Sequence, residues 1–118
     1  MKKILVAEDN DSNYILMSYI LRKYYAYDRA KNGQEAVEKV KSGDFDMVLM
    51  DIKMPVMDGL EATTAIREFN QEIPIVALTA NAFDSDRELA QEAGCNEFMA
   101  KPVNSDECLA TIRKIIGV

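Results

Sequence analysis

The stretch Met47-Val48-Leu49-Met50-Asp51 decides the fold. Four apolar residues run without a polar break and the run ends on a carboxylate. A strand with one wet face alternates apolar and polar residues. An unbroken short run instead marks a strand covered on both faces, as in a parallel sheet held between helix layers. Two more runs have the same character, Ile4-Leu5-Val6-Ala7 and Ile75-Val76-Ala77-Leu78, and two weaker ones lie near residues 27–30 and at Phe98-Met99-Ala100.

The segments between these runs carry helical spacing. In the first, Leu16, Ile20 and Tyr24 recur every four residues with Ile15 and Tyr19 beside them, which predicts their face as the buried one. In the second, Ala36, Val37 and Val40 share a face and Gly43 can close the helix. The third, from Asp58, places Ala62, Ile66 and Phe69 together. The fourth, from Asp84 to Ala93, is mostly polar and stops at Gly94. The fifth starts at Asn104, with Glu107 three residues on as a capping partner and Cys108, Ile112, Ile115 and Ile116 as its core face. Asn32-Gly33 alone would suggest a hairpin, but the helical spacing after it favours a strand-to-helix turn. Strands alternating with helices predict an α/β fold, a parallel sheet with right-handed crossovers.

The chain has 118 residues, suited to one domain over 1–118 that buries its own core. Its net charge of -6 argues against a nucleic-acid surface, because phosphate binding needs a basic footprint. Cys95 and Cys108 lack metal-ligand spacing and read as reduced thiols, Cys108 inside a helix core. The apolar run after Met1-Lys2-Lys3 is too short for a signal peptide or a membrane span, so a cytoplasmic location is expected. Histidine is absent, which excludes a phosphohistidine, a His-centred triad and a His-ligated metal on this chain.

In open α/β sheets, ligand sites lie beyond the carboxyl ends of the strands. Here those ends carry Glu8-Asp9, Asp51, Thr79 and Lys101-Pro102. Carboxylates gathered at one edge repel each other unless a cation intervenes. Mg2+ (or Mn2+) suits two or three carboxylates plus a phosphoryl oxygen. One carboxylate can then act as a nucleophile on phosphorus, while Thr79 and Lys101 offer a hydroxyl and a point charge to the remaining oxygens.

The residues Ile4-Leu5-Val6-Ala7-Glu8-Asp9-Asn10, Met50-Asp51-Ile52-Lys53-Met54-Pro55-Val56-Met57-Asp58-Gly59, Ala77-Leu78-Thr79-Ala80 and Phe98-Met99-Ala100-Lys101-Pro102 resemble the receiver domains of response regulators and hybrid histidine kinases. The likeness is collinear and covers essentially the whole chain. It implies a three-layer flavodoxin-like (βα)5 fold, its five parallel strands in order 2-1-3-4-5. It also implies a two-component phosphorelay function, in which a histidine kinase or histidine phosphotransfer protein donates a phosphoryl group. Asp51 would be the phospho-acceptor. Glu8, Asp9, Asp51 and the backbone carbonyl of Lys53 would hold Mg2+, and Thr79 and Lys101 would contact the phosphoryl group. Thr79 and Phe98 would form the switch, the Lys101-Pro102 bond would be cis, and Gly59 would make the turn before the third helix. The output partner would dock on the fourth helix, fifth strand and fifth helix, with no direct role for nucleic acid or membrane. No enzyme activity beyond Mg2+-dependent self-phosphorylation and self-dephosphorylation is implied. The Glu8-Asp9-Asn10 opening with Asn13 resembles receivers of hybrid kinases in particular.

Each residue also has a plainer role. Asp51 alone would be a turn residue, Glu8 and Asp9 can favour a helix dipole, and Thr79 alone reads better as a helix N-cap. Phe98 is equally compatible with plain core, and Lys101 with a surface lysine. Lys53 either faces solvent or stands beside the phosphoryl group and impedes its hydrolysis. Three rivals come from other classes. An Asp-nucleophile phosphatase would place an acid at Lys53. A pseudo-receiver would lack one of the five polar groups. A flavin carrier would need a Ser/Thr/Gly-rich phosphate loop where the acidic segment 8–11 stands.

Overall fold

The structure is a computed structural model that describes residues 1–80 and 84–117, the side chains of 84–86 excepted. Strands and helices alternate throughout: β1 Lys3–Ala7, α1 Asp11–Leu21, β2 Ala26–Ala30, α2 Gly33–Ser42, β3 Met47–Asp51, α3 Gly59–Phe69, β4 Ile75–Thr79, α4 Asp84–Ala93, β5 Glu97–Ala100 and α5 Ser105–Ile116. All four strand pairings are parallel and the sheet order is β2-β1-β3-β4-β5. This is the predicted (βα)5 order.

The unbroken apolar runs behave as their composition demands. β3 and β4 are buried along their whole length, and β1 from Ile4 onward. Alternate residues serve opposite layers. Ile4, Val6, Leu49 and Leu78 join Met17, Ile20, Cys108 and Ile112 on one face. Leu5, Ala7, Val48 and Met50 join Ala36, Val40, Ala62 and Ile66 on the other. Burial on both faces also fixes the register, because a one-residue slip would exchange the two layers.

Helix starts are set by side-chain caps. Asn10, Asn32, Asp58 and Asn104 each accept a hydrogen bond from the amide three residues on, and Asp58 with Glu61 completes a reciprocal capping box. Gly43 closes α2 as predicted. The polar α4 buries Ala90 and leaves Leu89 exposed, a thin apolar stripe.

Two predicted helix faces need correction. On α1 the buried residues are Met17, Ile20 and Leu21, whereas Ile15, Leu16 and Tyr19 are 52 %, 42 % and 59 % exposed. Residues 14–21 are apolar nearly all round, so spacing alone does not select a face. Tyr24 lies beyond the helix end and is exposed, and its neighbour Tyr25 is the core residue, donating its hydroxyl to the Gly117 carbonyl (2.9 Å). Phe69, the last residue of α3, is likewise exposed, with the Lys41 ammonium 5.3 Å from its ring centre. Among the described residues, no helix is long and apolar enough to cross a membrane.

Candidate functional site

The carboxyl ends of the central strands meet as the topology requires. Asp51 closes β3, in register with Leu78, so Thr79 ends β4 one residue further along the same edge. Lys101 follows β5, and its amide donates to the Thr79 carbonyl (2.7 Å), tying the last strand end to its neighbour. Glu8 follows β1, and its amide donates to the Ala30 carbonyl (2.9 Å), extending the ladder one step past the strand. Glu8, Asp51 and Thr79 are buried polar residues at 2 %, 4 % and 4 % exposure; Asp9 is exposed.

Lys101 Nζ stands 2.8 Å from Glu8 Oε1 and 2.9 Å from Asp51 Oδ2. The other Asp51 oxygen accepts from the Lys53 amide at 3.2 Å, so the chain after β3 folds its backbone over the carboxylate while the Lys53 side chain is exposed. Burial is the main reason the Glu8 carboxyl is pushed up to about 7; its contact with Asp51 adds to this and Lys101 offsets it in part. For Lys101, burial acts downward, yet the hydrogen bonds it donates to Glu8 and Asp51, with their charges, outweigh it and raise its pKa.

Oxygen atoms of Glu8, Asp9 and Asp51 all lie within 4.8 Å of one another. Oxygens about 2.1 Å from an octahedral Mg2+ are at most about 4.2 Å apart, so small side-chain adjustments would seat the ion. The donor set is all oxygen, which suits a hard divalent cation.

The loop between β3 and α3 is built tightly over this edge. The Met57 amide donates to the Pro55 carbonyl (2.8 Å) across Val56, whose φ of 69° is a rare conformation for a β-branched residue. Gly59 is there for lack of space: a Cβ would stand 2.1 Å from the Asp51 carbonyl oxygen. The Lys101-Pro102 bond is cis, as the likeness implied.

Phe98 is half-buried on β5 with the Arg87 guanidinium 4.2 Å from its ring centre. Both line a groove of about 150 Å3 with Ala90 and Cys95, and none of Glu8, Asp9 and Asp51 borders it. A bare ion needs no such cavity, so the acidic edge remains the chemical centre. Thr79 is the last residue of β4 and is buried at this same edge. Cys95 and Cys108 are free thiols, and burial, helped by Glu107, pushes Cys108 up to about 12.

Sequence reasoning missed Arg29. From β2 its Nε donates to the Glu8 carbonyl (3.1 Å), and its Nη2 donates to the Asp9 carbonyl (3.3 Å) and pairs with Asp11 Oδ1 (2.9 Å). The only available signal was an arginine in a weakly marked strand.

Comparison with known proteins agrees with this geometry. The family model described as response regulator receiver domain matches residues 4–113. Hybrid signal transduction histidine kinase M of Dictyostelium discoideum is 41 % identical over 96 % of this chain, which spans 5 % of that kinase's length. The receiver domain of sensor histidine kinase PA1611 from Pseudomonas aeruginosa, solved with a magnesium ion in its active site cleft, is 37 % identical. It superposes with a TM-score of 0.92 over 99 % of this chain and 98 % of its own. The receiver domain of Saccharomyces cerevisiae Ssk1, solved with the histidine phosphotransfer protein Ypd1, is 35 % identical with a TM-score of 0.93, covering 98 % of this chain and 88 % of its own.

Proposed function

The chain belongs to the response regulator receiver domain family, and from that premise we propose that it accepts a phosphoryl group on Asp51 from a phosphohistidine on a partner protein. One observation carries the proposal: Asp51 is buried at the tip of β3, its oxygens near those of Glu8 and Asp9 and 2.9 Å from Lys101 Nζ.

An Asp51 carboxylate oxygen attacks phosphorus, the P–N bond to the donor imidazole breaks, and the product is an aspartyl phosphate. Mg2+ (or Mn2+), when bound, supplies neutralisation of the phosphoryl oxygens. Glu8, Asp9, Asp51 and the Lys53 carbonyl would hold it. Lys101 leaves its two carboxylate partners only partly, turning its ammonium toward the new charge, and Thr79 supplies a hydroxyl from the adjoining strand end. Phe98 follows Thr79, and the surface of α4, β5 and α5 carries the signal to the output partner. The thin apolar stripe of α4 makes that element the cheapest to shift.

The donor class is a histidine kinase or histidine phosphotransfer protein, in keeping with the Ssk1–Ypd1 complex. The exposed Ile15, Leu16 and Tyr19 offer such a donor an apolar foothold beside the acidic edge. The chemistry ends on the chain's own Asp51 and is followed by its own hydrolysis, not by turnover of external substrates. A phosphatase would need an acid where Lys53 stands.

Intact mass spectrometry after incubation with Mg2+ and a small phosphodonor tests this. One added phosphoryl group is expected, lost in Asp51→Asn and without Mg2+. Continued release of phosphate from phosphomonoesters with no stable adduct would favour the phosphatase.

A further inference from the structure

Arg29 lies outside the carboxylate set, yet its contacts converge on the segment that carries two of its members. Pairing with Val6 sends its side chain to the sheet face covered by α1, where the guanidinium lies 4.6 Å from the Tyr14 ring centre. The side chain is only 16 % exposed. Its planar fork takes two consecutive carbonyls, those of Glu8 and Asp9, and the Asp11 carboxylate at the first turn of α1. Two adjacent carbonyls held by one rigid cation fix the peptide between them.

The consequence falls on Asp9. The Glu8 carboxylate is held by Lys101, and that of Asp51 by Lys101 and the Lys53 amide. Among the described residues, no hydrogen bond or ion pair holds the Asp9 carboxylate, so its backbone alone aims it. We infer that Arg29 is a positioning residue for the divalent-cation site, clamping the Glu8–Asp9 backbone so that the Asp9 carboxylate is presented to the ion. This rests on the proposed reading of the acidic edge as a cation site.

Two effects of Arg29 oppose each other. Its charge repels a nearby cation, whereas its fork orders a ligand. Asp11 and the two carbonyls compensate much of the charge, so ordering dominates. Arg29→Lys separates the two, because it keeps the charge and loses the fork.

The test is Mg2+ titration by isothermal calorimetry on the wild type, Arg29→Lys and Arg29→Gln, each first shown to be folded by circular dichroism. Both variants are expected to weaken Mg2+ binding about tenfold. Phosphoryl uptake from a small donor should return to the wild-type plateau at saturating Mg2+, and amides of residues 9–13 should exchange faster in the metal-free variants. A merely structural role would lower the plateau as well. Unchanged or tighter Mg2+ binding, or unchanged exchange at residues 9–13, would overturn the clamp. If Arg29→Gln does not fold, Arg29→Lys decides alone. A folded wild type that binds no Mg2+ would sink the cation reading itself and this inference with it.

Discussion

The Lys101 ammonium stands 2.8 Å from Glu8 Oε1, and Glu8 is 2 % exposed. Lys101 therefore makes two neighbouring buried carboxylates tolerable, whatever its part in the proposed phosphoryl transfer. Removing it leaves Glu8 and Asp51 facing each other, and the loss is greatest where both are ionised. Lys101→Met should lower stability by about 3 kcal/mol at pH 8 and by clearly less at pH 5, where Glu8 carries a proton. Urea unfolding at the two pH values measures this. An equal loss at both would show that the ion pair is not its source.

Glu8 itself sets a pH dependence. Its folded value of about 7 lies above its ordinary 4.5. Between those values the folded chain holds a proton that the unfolded chain has released, so the Glu8 contribution to metal-free stability is greatest below 4.5 and is lost as pH rises through 7. A bound divalent cation needs the ionised carboxylate, so Mg2+ affinity should rise about tenfold from pH 6 to pH 8. Calorimetric titration at each pH reads the ratio, and Glu8→Gln should flatten it. A flat wild-type profile would remove Glu8 from the ligand set.

Strand order and the acidic edge were legible because apolar runs such as Met47–Met50 end abruptly on Asp51, and strand ends in this topology must share an edge. Helix faces were less so. The spacing of Ala36, Val37 and Val40 is sharp because polar residues fill the other side of α2, and it located the core correctly. On α1 the apolar residues crowd all sides, and only packing into the core cluster that holds Val6 and Ile112 decides that Met17 goes in and Leu16 stays out. Arg29 was illegible because its role depends on carbonyls distant in sequence, which no residue pattern displays.

Gly59 gives a steric prediction. A Cβ at this position would meet backbone, the Asp51 carbonyl oxygen at 2.1 Å and the Ile52 Cα at 2.9 Å, with no flexible side chain to move aside. The Gly59 amide also donates to the Ile52 carbonyl (2.9 Å), so withdrawal of α3 would break that bond. Gly59→Ala should cost about 3 kcal/mol by urea unfolding, against the roughly 1 kcal/mol gain that alanine normally brings within a helix. A neutral or stabilising result would mean that the loop over Asp51 gives way easily.

The exposed face of α1 separates recognition from chemistry. Leu16 borders a small recess shared with Glu8, Lys101 and Pro102, so the apolar patch of Ile15, Leu16 and Tyr19 runs up to the acidic edge. On the proposed reading, a donor protein that brings its phosphohistidine to Asp51 would cover this rim, whereas a small phosphodonor need not touch it. Burying apolar side chains at the centre of an interface contributes on the order of 1–2 kcal/mol each. The double variant Leu16→Ala, Tyr19→Ala should therefore lower the transfer rate from a phosphohistidine protein at subsaturating concentration by tenfold or more, each 1.4 kcal/mol being a factor of ten. Uptake from a small donor should stay within about twofold, because neither side chain belongs to the carboxylate set. Parallel rates from the two donors, followed by mass, decide the matter. Equal losses with both would mean that the substitutions disturb the pocket, and no loss with either would move the docking face to another part of the acidic edge.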